Sequence, residues 1–102
     1  MTTIIKSDFN KETGVIEIFM GERIDTSNAA DFDNEIIKLE EENKFSNICF
    51  NMKDTAYISS ACLRILLKYK KNYPDTTIVE VNDDVFEILS ITGFDTLFDV
   101  KR

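Results

Sequence analysis

The chain has 102 residues, 43% of them hydrophobic, which is enough to bury one core without disulfides and leaves no room for a second domain, so residues 1–102 read as a single unit. Its 12 basic against 19 acidic residues give a formal charge of −7, which disfavours direct contact with a nucleic-acid backbone, and its apolar runs are too short to span a membrane. It has no histidine, so neither a Ser–His nucleophile nor a Cys–His metal site can be assembled from it; no metal and no cofactor are expected.

The first stretch, MTTIIKSDFNKETG, carries no export signal, and the cytoplasm is the expected location. TTIIKSDF and GVIEIFM are β-rich runs joined by NKETG, which suits a hairpin loop. After GERID, the segment TSNAADFDNEIIKLEEEN offers Thr26, Ser27 or Asn28 as a helix cap and sets Ala29, Phe32, Ile36 and Leu39 at helical spacing. SNICFNM reads as an internal strand. DTAYISS then turns into the helix ACLRILLKYKKNY, whose apolar stripe is Leu63, Leu66 and Leu67 and whose end is marked by Pro74. Lys68, Lys70 and Lys71 lie late on that helix, where they complement its dipole. TTIVEV is a further strand, DDVFEILSIT a third helix with Val85, Ile88 and Leu89 toward one face and Gly93 as its stop, and DTLFDV a short helix, an edge strand or both. The order β-β-α-β-α-β-α predicts an α/β fold: a small mixed sheet with helices packed mainly on one face. The loops MGERIDTSN and KDTAYISSA, both leading from strands into helices, should be neighbours at one edge.

The adjacent serines Ser59 and Ser60 stand where the second of these loops becomes helix. No glycine-rich nucleophile elbow or phosphate loop frames them, and Asp83 with Asp84 reads as a helix start, so no enzyme activity is expected. One of the two serines can cap the helix. A phosphoryl group on either would meet the positive end of the dipole, and Arg64, four residues after Ser60, lies on the same helical face to bind it. Cys49 and Cys62 fall inside elements and read as inert packed thiols, although a cysteine near a helix N-terminus can have a lowered pKa.

YISSACLRILL resembles the signature of STAS domains, the anti-sigma factor antagonists, GERIDTSNAADF is similar to their Gly-x-Leu-Asp-x-x-x-Ala loop, and VFEILSITGFDTLFDV is similar to their closing segment. The likeness runs in order through the chain and implies an unmodified antagonist that binds a serine-kinase anti-sigma factor and frees the sigma factor. It implies phosphorylation at Ser60, with Ser59 the less favoured acceptor, release on phosphorylation, and resetting by a PP2C-type phosphatase. Ser59 stands where many members have Asp, and Cys62 where Gly is usual. Asp25 matches the loop acid; with Thr26, Asn28, Ser59, Ala61, Cys62, Leu63 and Arg64 it makes up the expected partner-binding edge of a monomer or weak homodimer. Other STAS domains serve circuits that control phosphatases, secretion or motility, and an unphosphorylated interaction module and a nucleotide-binding domain complete the readings the residues leave open.

Overall fold

The computed structural model describes residues 5–102, so the beginning of the first predicted strand, Thr2 to Ile4, lies outside the described residues. Strands β1 (Ile5–Asn10) and β2 (Val15–Met20) pair antiparallel. The Asn10 side chain organises their turn by accepting hydrogen bonds from the Glu12 and Thr13 amides at 2.9 and 3.3 Å. Gly14 ends the turn with φ +76, a backbone conformation that favours glycine, and a Cβ there would push the Ser46 hydroxyl aside.

The remaining elements follow in chain order as β3 (Arg23–Ile24), α1 (Ala29–Glu42), β4 (Asn47–Asn51), β5 (Tyr57–Ile58), α2 (Ser60–Asn72), β6 (Thr77–Val79), α3 (Asp83–Ile91), α4 (Phe94–Leu97) and β7 (Asp99–Val100). One five-stranded sheet has the order β1-β2-β4-β6-β7, parallel except for β1. Its register lines up Ile16 and Ile18 with Ile48 and Phe50, and Phe50 with Ile78, on one face. These side chains join Phe32 and Ile36 of α1, Leu63 and Leu66 of α2, and Val85 and Leu89 of α3 in one core. Residues on the opposite face, including Val15, Phe19 and Cys49, are half-buried. The α/β sheet with its helices on one face is the expected architecture, and the closing segment is both helix and strand.

Three details differ from the sequence reading. The two predicted loops each contain a two-residue strand, and β3 and β5 form a second, parallel ladder. Runs this short carry no periodic signal, and only their pairing makes them strands. In α2 the buried stripe is Cys62, Leu63, Leu66 and Tyr69, while Leu67 is half-buried. Tyr69 goes inside because its hydroxyl finds the Asp33 carboxylate at 2.5 Å, so the ring can be buried without orphaning its polar end. Finally, α1 has no side-chain cap from Asn28; the Asp25 carbonyl takes the Ala29 amide at 2.9 Å. Of the late lysines, Lys70 serves the end of α2, its Nζ donating to the Pro74 and Thr76 carbonyls just beyond it, whereas Lys68 pairs with Asp33 of α1.

Candidate functional site

The ladder between β3 and β5 builds the site. Arg23 stands opposite Tyr57 and Ile24 opposite Ile58, and the Ser59 amide continues the ladder by donating to the Ile24 carbonyl at 2.9 Å. Ile24 and Ile58 are buried, which anchors one side of the ribbon in the core. Alternation then turns Arg23, Asp25, Tyr57 and Ser59 to the other side. The two loops are thus neighbours, and Asp25 and Ser59 meet where the strands run into α1 and α2.

Asp25 is the most heavily bonded group of this edge. Its Oδ1 accepts from the Ser27 hydroxyl at 2.5 Å and the Ser27 amide at 2.9 Å, and its Oδ2 accepts from Arg23 Nε at 2.7 Å. Chiefly the Ser27 hydroxyl, then Arg23 and the Ser27 amide, hold the carboxyl down at about 2, so it is anionic across the neutral range. Asn28 brackets the loop: its Oδ1 accepts from the Asp25 amide at 2.8 Å and its Nδ2 donates to the Arg23 carbonyl at 2.8 Å. Thr26 is exposed and makes no cap.

At the other strand end the two serines divide the roles. Ser59, half-buried, is the N-cap of α2, with its Oγ accepting from the Cys62 amide at 3.3 Å. Ser60 is the first helical residue, exposed, and its hydroxyl has no hydrogen-bond partner among the described residues. Ala61 is half-buried, and Arg64, one turn on, is exposed and makes no ion pair among the described residues. Cys62 is 0% and Leu63 6% exposed, so both face the core and present no surface to a partner, contrary to the sequence reading. Burial also pushes the Cys62 thiol up to about 12, which outweighs the helix N-terminus and leaves no thiolate at neutral pH.

Four further residues shape the edge and escaped the sequence reading. The Arg23 guanidinium lies over the Tyr57 ring, Cζ 4.5 Å from its centroid, and Tyr57 is 39% exposed. Thr55 is buried and donates from Oγ1 to the Gly21 carbonyl at 2.9 Å. Asn82 ties the loop to α3, donating to the Thr55 carbonyl at 2.7 Å while its Oδ1 caps the helix by accepting from the Val85 amide at 2.9 Å. The sequence held a signal for one of them, since an Asn before two acids and an apolar run is a cap pattern. Among the described residues no group of three or more Cys, Asp or Glu is placed to hold a metal ion, and no helix is long and apolar enough to cross a membrane.

The architecture has solved counterparts. A candidate anti-sigma factor antagonist from Thermotoga maritima superposes with a TM-score of 0.83 at 17% identity, covering 96% of this chain and 86% of that one. SpoIIAA, an anti-sigma factor antagonist, matches in its unphosphorylated form with a TM-score of 0.76 at 10% identity, covering 94% and 86%. The Bacillus SpoIIAA structure in the phosphorylated form matches with a TM-score of 0.67 at 9% identity, covering 94% and 89%. A sulfate transporter family protein from Wolinella succinogenes matches with a TM-score of 0.71 at 16% identity, covering 92% and 80%. At these identities the likeness establishes the fold. Comparison with curated proteins finds none whose sequence matches. The STAS domain pattern itself matches residues 6–102, almost the whole length, and the chain belongs to the STAS domain family.

Proposed function

We propose that this STAS domain is a phospho-regulated antagonist of an anti-sigma factor in the cytoplasm. The observation that carries the reading is the division of labour at the start of α2: Ser59 is spent on the cap, while Ser60 offers an exposed, unbonded hydroxyl at the end of the ladder where the anionic Asp25 also lies. In this reading Asp25, Thr26, Asn28, Ala61, Ser60 and Arg64 form the docking edge for a serine-kinase anti-sigma factor. The kinase transfers phosphate from a nucleoside triphosphate to Ser60 Oγ, the hydroxyl proton leaves to a base on the kinase, and the nucleoside diphosphate departs. A group of charge roughly −1.5 to −2 then stands at an interface formed for a neutral serine, and the complex dissociates. A PP2C-type phosphatase restores the serine.

Intact-mass and site-mapping spectrometry on the protein from its native host, across growth conditions, tests this directly. A phosphate on Ser60 that comes and goes is the expected result. Its absence in every condition would remove the switch and favour the second reading, a STAS interaction module without phosphorylation. If the same experiment placed the phosphate on Ser59, the assignment of the cap and the acceptor would have to be exchanged.

A further inference from the structure

Arg23 stands on the same side of the β3–β5 ribbon as Asp25, Tyr57 and Ser59, and Ser60 follows directly. Adjacent strands lie about 4.8 Å apart, and Ser60 stands three residues, about 10 Å at strand rise, beyond Tyr57, the register partner of Arg23, a gap that an extended arginine and a phosphoserine can close between them. One edge of its guanidinium is taken, because Nε donates to Asp25 Oδ2 at 2.7 Å, and its plane is steadied over the Tyr57 ring. Its other two nitrogens have no partner among the described residues, and the side chain is 63% exposed. A cation is therefore oriented at the edge that carries Ser60, in a domain whose net charge is −7, with four of its five N–H donors unused.

We propose that Arg23 is a latch acting within the chain: when Ser60 carries a phosphoryl group, the Arg23 guanidinium moves from the Asp25 carboxylate to the phosphoryl oxygens and leaves Asp25 held by Ser27 alone. The inference rests on Ser60 being the modified residue. A phosphoryl dianion outcompetes a single carboxylate for a guanidinium, since it offers more charge and a matching pair of oxygens. Tyr57 makes the exchange inexpensive, because the guanidinium can pivot on the ring face without losing its support. The modification then changes two features of the docking edge together: a neutral serine becomes a paired phosphate, and Asp25 loses its cation. Arg64, on the helix side of Ser60, is the competing cation. The two differ in that Arg23 is already oriented and Arg64 is held by nothing.

The test uses the full chain with phosphoserine encoded genetically at position 60, so it depends on no kinase. The second ionisation of the phosphate is followed by phosphorus NMR in the otherwise unaltered protein and in Arg23→Gln and Arg64→Gln. Arg23 is exposed, so its variant keeps the fold. The expected result is a phosphate pKa about half a unit to one unit lower with Arg23 present than in Arg23→Gln, a smaller change in Arg64→Gln, and a displaced Arg23 Nε–H resonance relative to the unphosphorylated chain. Equal phosphate pKa values with and without Arg23, or a shift abolished only by Arg64→Gln, would overturn the latch. These outcomes are separate from mass spectrometry in the host: an unmodified Ser60 there refutes the proposed function, whatever the titration shows.

Discussion

Two parts of this molecule combine the same three kinds of group: a carboxylate, a basic side chain and a tyrosine. At the serine edge, Asp25, Arg23 and Tyr57 combine an ion pair of 2.7 Å with a cation 4.5 Å from the ring centroid. Between α1 and α2, Asp33, Lys68 and Tyr69 combine an ion pair of 2.6 Å with a cation 4.6 Å from the ring centroid. The difference is what the tyrosine does. Tyr69 is fully buried and donates its hydroxyl to Asp33 at 2.5 Å, so the second triad clamps two helices together. Tyr57 lies open, and the first triad joins only the two short strands β3 and β5 at the surface. The same kind of contact joins two helices in the core when its aromatic member is buried, and stays at the surface when it is not.

The sharpest way to break the comparison is to truncate both rings. Tyr69→Ala should destabilise the fold by about 3–5 kcal/mol, through the cavity and the lost hydroxyl, whereas Tyr57→Ala should change stability by about 1 kcal/mol or less. Urea unfolding of the two variants measures both, and similar costs would mean that the exposed triad is structural after all. Asn82→Ala should fall between them at about 1–3 kcal/mol, because it removes the α3 cap and leaves the Thr55 carbonyl of the serine loop without its donor.

The triads should also part company with pH. The Asp25 carboxyl is depressed from 3.8 to about 2, so its contribution to stability is present above its unfolded pKa and is lost as the pH falls toward 2. The difference in urea midpoint between the natural chain and Asp25→Asn should hold at neutral pH and close in acid. The Tyr69 phenol is pushed up, first by burial and then by its bond to Asp33. Its contribution is present below its unfolded pKa of about 10 and is lost as the pH rises above that value. Tyr69→Phe should remove part of the alkaline loss, the rest belonging to Tyr73, which burial and its hydrogen bond to Glu40 push up to about 12. The smallest effect on stability, and the largest expected on function, belongs to Asp25→Ala: a folded protein whose Ser60 phosphate occupancy in the native host falls. Unchanged occupancy would remove Asp25 from the site.

Helices α1, α2 and α3 and the main strands were legible because each repeats a local pattern over enough residues to declare a buried face: Phe32 and Ile36, Leu63 and Leu66, Ile48 and Phe50. The helix start at the candidate site was legible for a similar reason, since serine is a favoured cap before an amphipathic run. The site's details were not. Cys62 and Leu63 stand beside the serines in sequence but on the buried side of the first turn, and spacing counted from Ser60 does not reveal where the core lies. Tyr57 and Arg23 are separated by more than thirty residues and meet only through a two-residue ladder.

Sequence by itself determined the order of elements, the acidic balance, the absence of histidine chemistry, and a pair of serines at a strand-to-helix junction, because these are local or compositional properties. Tertiary structure alone decided that Ser59 is the cap and Ser60 the free hydroxyl, that Cys62 is an inert buried thiol, and that Asp25 is held anionic by Ser27 and Arg23. Each of those outcomes depends on which groups long-range strand pairing and core burial bring within hydrogen-bond reach, and a local pattern contains no record of that distance.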